Sequence, residues 1–305
     1  MAYLHENKRE FHTAVNLASE KFHIVPSIVE KDYYVTMVLR LLAEKVDYAV
    51  FKGGTSLSKC HRAIKRFSED IDITIDTKIS QGQMRSLKQA IKEIAQELGL
   101  GIPNLDETRS RRSYNRYLLE YSSVESNGND VVLPSVLLET SFAEISFPVV
   151  RMPVYSYIGE MMEKEAPAKV ENYKLKPFEM KVQGLDRTLV DKVFALCDYY
   201  MQDKIKRHSR HIYDIYKIFP LVSRDGAFRK LVRDVRTERA KNTICPSAQP
   251  DVDVSALIRT IIEKRIYKDD YDSITARILE EDVPYDTAVE ALRIIASSGL
   301  FEKYG

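Results

Sequence analysis

Two aspartates one residue apart open the alternating stretch Asp70-Ile71-Asp72-Ile73-Thr74-Ile75-Asp76. Successive side chains of a strand point to opposite faces, so Asp70, Asp72, Thr74 and Asp76 share one face and the isoleucines the other. Carboxylates at i and i+2 stand roughly 7 Å apart at their bases and repel each other. A hard divalent cation with oxygen ligands relieves that repulsion. A solvated edge strand alternates in the same way, so the strand alone decides nothing. The preceding turn adds weight: Gly53-Gly54 permits positive φ and close approach to an anion, Thr55 and Ser56 bring hydroxyls, and Lys52 and Lys59 bring charge. Turn and strand together describe a site for a metal-bound triphosphate, with Mg2+ as the cation or Mn2+ in its stead.

The elements that must position these residues are legible by period. Ser27 and Glu30 have the spacing of a capping box, opening a buried helix with Tyr34, Val35, Val38, Leu39, Leu41 and Leu42. A short strand is predicted near Tyr48 to Phe51, then the glycine turn, then the acidic strand. Ser80 and Gln83 cap a helix carrying Met84, Leu87, Ile91, Ile94 and Leu98. Strand signals recur from Tyr114 to Tyr157, interrupted by a polar Asn127-Gly128-Asn129 turn, and extend the same sheet. Beyond Leu185 the pattern is helical, and Pro167 and Pro177 punctuate a polar stretch before it. The expected fold is α+β: a mixed sheet flanked by helices over residues 1–165, then a mostly helical domain over 166–305 that completes the cleft.

Lys+Arg 46 against Asp+Glu 45 gives a net charge of +1, so nucleic-acid or membrane binding must come from local patches. Cys60, Cys197 and Cys245 form no CxxC pair, which argues against a disulfide framework or a thiolate zinc site. The N-terminus lacks an apolar signal core, and no run approaches the ~18 residues that span a bilayer. A cytoplasmic protein without a membrane partner is expected.

Lys52-Gly53-Gly54-Thr55-Ser56-Leu57 followed by Arg66-Phe67-Ser68-Glu69-Asp70-Ile71-Asp72 resembles the signature of the nucleotidyltransferase superfamily, and more closely the AbiEii-type toxins of bacterial abortive-infection and toxin–antitoxin systems. Val29-Glu30-Lys31-Asp32-Tyr33-Tyr34, the Arg187 to Leu196 block and Ser209 to Tyr216 look similar to that family too, so the resemblance spans about residues 25 to 220. It implies an enzyme that moves a nucleoside monophosphate from a nucleoside triphosphate to an acceptor hydroxyl, often at a tRNA 3′ end, as a toxin or phage-defence effector with a cognate antitoxin. It implies Asp70 and Asp72 as catalytic metal ligands, and places Ser68 and Arg210 beside the glycine turn among the phosphate-binding residues.

Further candidates rest partly on the residues and partly on that resemblance. A third acid on a neighbouring strand would serve as general base or second-metal ligand, and Glu139, within an apolar run, is the candidate, with Glu144 its rival. A solvent-facing Glu139, or one paired with an arginine, fits the same pattern. Lys192 lies on the shoulder of its helix's apolar stripe, where it can snorkel outward or reach inward. The resemblance implies that it holds phosphates or neutralises leaving pyrophosphate. Arg210 and Asp214, four apart on a helix, read as an exposed salt bridge. The resemblance instead makes Asp214 a catalytic cleft residue and Arg210 its partner, with His211 where the family often has an acid. Basic runs at Lys204-Ile205-Lys206-Arg207-His208 and at Arg109, Arg111, Arg112 and Arg116, the latter with Tyr114 and Tyr117, could contact RNA. Two other readings stay open: nucleotide transfer to a Ser, Thr or Tyr of a protein, and a non-catalytic nucleotide or metal binder.

Overall fold

Alternation settles the centre of the sheet. In strand β2, Ile71–Ile75, the three isoleucines are buried and Asp72 is half-exposed, while the neighbouring β1, Ala49–Lys52, buries Ala49, Val50 and Phe51. The computed structural model describes residues 3–125 and 132–301, apart from the side chains of 143 and 144. The Asn127-Gly128-Asn129 turn and the carboxylate of Glu144 lie outside the described residues.

Strands β3 (Tyr114–Glu120), β4 (Ser135–Ile145), β5 (Val149–Val154) and β6 (Phe178–Gln183) complete one sheet in the order β3-β4-β2-β1-β6-β5. It is mixed: β1 pairs antiparallel with β2 and parallel with β6, and β4 pairs parallel with β2 and antiparallel with β3. The predicted strand signals thus join a single sheet. Tyr157, expected at a strand end, instead opens a helix whose first turn is capped by Ser156 Oγ accepting from Gly159 N. Strand β6 was not anticipated, although Phe178, Met180 and Val182 alternate with polar residues and the latter two are buried.

Helices α1 (Lys8–Phe22), α2 (Pro26–Lys45), α3 (Gly53–Lys59), α4 (Gln81–Glu97), α5 (Tyr157–Glu165) and α6 (Pro167–Asn172) accompany the sheet. Buried side chains of α2 run from Val29 to Leu42, and the helix packs against α1, α4, α5 and β4. The Ser80–Gln83 capping box forms as expected. The one expected at Ser27 and Glu30 does not. Helix α2 begins at Pro26, which has no N–H to satisfy, and no side chain caps it. Glu30 is buried and accepts from Ser123 Oγ and Val124 N, tying α2 to the segment after β3.

Two compact units make up the chain: Met1–Cys60 with Glu69–Val182, and His61–Ser68 with Gln183–Gly305. The second is helical. In it α7 (Leu185–Met201) packs against α8 (Arg210–Ile218), α9 (Gly226–Arg239) and α10 (Val254–Glu263), and α11 (Glu290–Ser297) packs against α8 and α10. Asp225 and Asp253 cap α9 and α10 through their carboxylates. Among the described residues no helix is long and apolar enough to cross a membrane.

Candidate active site

The sheet register places the acidic residues. Lys52 of β1 is paired with Asp72 of β2, Asp72 with Glu139 of β4, and Glu139 with Arg116 of β3. Residues paired across neighbouring strands share a face, so Lys52, Asp72, Glu139 and Arg116 form one row with charges in the order plus, minus, minus, plus. Asp70 precedes β2 by one residue and is half-exposed like Asp72. The Glu139 carboxylate accepts from the Tyr114 hydroxyl at 2.7 Å and lies 3.1 Å from Arg116 Nε. Glu139 thus adjoins the acidic strand and pairs with an arginine.

Gly53 makes this arrangement sterically possible. Its φ is +80°, and a Cβ built on it would stand 1.9 Å from Asp72 Oδ2. The Asp72 carboxylate therefore occupies the space a side chain would need, which only glycine leaves open.

Other residues of the expected phosphate cradle are drawn into the scaffold. Ser56 is fully buried and its hydroxyl donates to Gly53 O at 2.9 Å. The buried Lys59 ammonium bonds the Asp32 carboxylate and Tyr155 O at 3.0 Å, with Asp32 O at 3.5 Å. In this structure the Lys59 ammonium is thus engaged by the scaffold. Thr55 is buried as well, while Lys52, Gly53, Gly54 and Ser68 remain half-exposed.

In the second unit Asp214 is completely buried at the centre of a cationic cluster. Arg66 Nε and Nη2 grip its two oxygens at 2.6 and 2.7 Å, and Lys192 Nζ lies 2.6 Å from Oδ2. Burial acts to raise the Asp214 carboxyl, but the two cations overcome it and hold the group well below the usual carboxylate range. Burial, with Arg66 and Arg210 adding to it, lowers Lys192 against the pull of Asp214. His211 is held neutral by burial and by Lys192 and Arg210. The inward reading of Lys192 is the observed one. The Arg210–Asp214 ion pair is not: among the described residues the partners of Asp214 are Arg66 and Lys192. The helical period put Asp214 on a polar face because spacing carries no sign of Arg66, 148 residues away.

The basic runs fare unequally. Tyr117 is buried, whereas Tyr114, Arg111, Arg112 and Arg116 are exposed. Lys204, Lys206 and Arg207 are exposed on a loop that the Asp270 carboxylate fixes by accepting from the backbone amides of Arg207 and Ser209.

A family model described as nucleotidyl transferase AbiEii toxin, Type IV TA system, matches residues 38–291. The chain belongs to this family. This AbiEii chain is a nucleotidyltransferase of the toxin class, for which a nucleoside triphosphate substrate and an antitoxin partner follow from the family. Its fold is similar to that of MenT4, a nucleotidyltransferase toxin from Mycobacterium tuberculosis H37Rv, at 16% identity and a TM-score of 0.50, over 93% of this chain and 88% of that one. No curated protein matches the sequence.

Divalent metal fits this AbiEii site as a co-ligand of substrate. The half-exposed carboxylates of Asp70 and Asp72 are the hard oxygen donors Mg2+ takes, and Mg2+ characteristically uses one or two of them plus phosphate oxygens and water. Among the described residues no three His, Cys, Asp or Glu side chains form a metal-holding group. The Glu139 oxygen bonded by Tyr114 also faces Arg116.

Proposed function

We propose that the chain transfers a nucleoside monophosphate from a nucleoside triphosphate to a hydroxyl at the 3′ end of an RNA, of the tRNA kind that the family implies, and does so in the cytoplasm. The observation that carries the reading is Asp72 set between Lys52 and Glu139 in register, its carboxylate occupying the space beside Gly53. Bound with the triphosphate, Mg2+ or Mn2+ supplies charge neutralisation on the phosphate oxygens. Asp70 and Asp72 hold that complex, and Lys52, Gly53 and Gly54 accommodate the distal phosphates. Glu139 accepts the proton of the attacking hydroxyl. In the second unit Arg66 and Lys192 both contact Asp214, and the family resemblance gives Lys192 the task of holding phosphates or neutralising pyrophosphate. Asp214 orients Lys192 for that task, and Ser68 and Arg210 contribute phosphate contacts.

The exposed Lys204, Lys206 and Arg207 loop favours RNA over a protein hydroxyl as acceptor, because backbone phosphates reward fixed cations. The test is transfer of α-32P label to total small RNA and, separately, to total protein. With Lys204→Glu/Lys206→Glu/Arg207→Glu, labelling of RNA is expected to fall by about 10-fold or more while triphosphate binding stays unchanged. Label on protein that survives the charge reversal would replace this reading with nucleotidylation of Ser, Thr or Tyr. Triphosphate binding with no label in either fraction would favour a non-catalytic binder.

A further inference from the structure

The chain leaves the first unit after Cys60, contributes His61–Ser68 to the second, and re-enters the first at Glu69. Both crossing points are fastened to adjacent residues of helix α2. Lys59, the last residue of the glycine helix α3, is bonded to Asp32, whose other oxygen accepts from Tyr157 N at 3.1 Å. Glu69, immediately before Asp70, is bonded to Lys31, which also lies 3.4 Å from Leu133 O. Lys31 and Lys59 are both buried and Asp32 nearly so, which shields the Lys59–Asp32 pair from solvent, while Glu69 is 36% exposed and its pair with Lys31 is partly screened. The neighbours in the helix are held too: Glu30 ties α2 to Ser123 and Val124, and Tyr34 stacks on Tyr121 at 4.1 Å between ring centroids. Helix α2 is therefore fixed to the sheet side of its own unit while its residues 31 and 32 reach the exit and the re-entry of the chain.

We propose that Lys31 and Asp32 are positioning residues for nucleotidyl transfer, acting through Glu69 and Lys59 to hold the acidic strand and the glycine helix in register with each other. The inference rests on the reading of Asp70 and Asp72 as the catalytic carboxylates. Geometry makes the need plain. Asp72 Oδ2 shares its space with the missing Cβ of Gly53, so a slide of α3 against β2 by even an ångström displaces the carboxylate. The segment that separates the two carries Arg66, which is bound to Asp214 in the second unit. The Glu30-Lys31-Asp32 motif thus acquires a function distinct from helix capping.

The test uses the full chain with Lys31→Met, Lys31→Arg, the charge-free double variant Lys31→Met/Glu69→Gln, and the double variant Asp32→Asn/Lys59→Met, with Asp72→Ala as control. Circular dichroism confirms folding, and the charge-free pairs avoid leaving a lone buried charge. Direct Mn2+ titration in the presence of a non-hydrolysable triphosphate reads the site, alongside kcat and KM. Lys31→Met and both double variants are expected to bind Mn2+ about 10-fold more weakly and to lose kcat by a similar factor, with KM for the triphosphate changed less. Lys31→Arg recovers part of the loss. Folded double variants with parental Mn2+ affinity and kcat would overturn the positioning role alone. Full activity in Asp72→Ala would overturn it together with the catalytic reading beneath it.

Discussion

The Gly53→Ala variant is expected to lose about 100-fold or more of its transfer rate while remaining folded. Two independent effects act at one atom. A residue with a side chain is strained at φ +80°, and the new methyl would sit 1.9 Å from Asp72 Oδ2, well inside contact distance. Either the turn or the carboxylate must move, and both belong to the candidate site. The strain itself costs about 1–3 kcal/mol, small against the loss of placement. Steady-state transfer assays with unfolding curves separate the two. Gly82→Ala serves as control, because its added methyl meets only Ser80 Oγ at 3.5 Å in an exposed helix turn. Parental activity in Gly53→Ala would mean that the close approach of Gly53 and Asp72 has no part in the chemistry.

Asp214→Asn is expected to destabilise the protein by about 3–5 kcal/mol, since it leaves Arg66 and Lys192 buried without their anion. The effect carries a pH signature. The Asp214 carboxyl is held below its unfolded value of about 4, so its contribution is fully present above that pH and disappears as pH falls through the folded value. The stability difference between parent and Asp214→Asn should therefore be greatest near neutrality and shrink below about pH 4. Urea unfolding at pH 7 and pH 3 measures it. A gap that widens in acid would show that Asp214 is not stabilised as an anion.

What the sequence disclosed, it disclosed through short-range pattern. The acid–isoleucine alternation fixed the face of Asp72, and the Ser80–Gln83 spacing fixed a helix start. Lys192 could be placed on a shoulder but not given a partner, because its contact with Asp214 depends on how α7 and α8 pack. The Ser27–Glu30 spacing misled: a proline at N1 made the cap unnecessary, and Glu30 found partners 93 and 94 residues away. The Lys59 ammonium is engaged by the scaffold. Its acceptor Asp32 is invisible to spacing, as are Arg66 on Asp214 and Tyr114 on Glu139. Strand β6 is the opposite case, an alternation present in Phe178 to Gln183 but overshadowed by the prolines around it.

The decisive experiment for nucleotidyl transfer at the acidic strand is incubation of the chain with each α-32P nucleoside triphosphate, Mg2+ and total cellular RNA and protein, comparing the parent with Asp70→Ala/Asp72→Ala. The parent is expected to label small RNA with one preferred nucleotide, and the variant, folded by circular dichroism, to leave it unlabelled. Equal labelling by the variant would contradict the assignment of catalysis to Asp70 and Asp72.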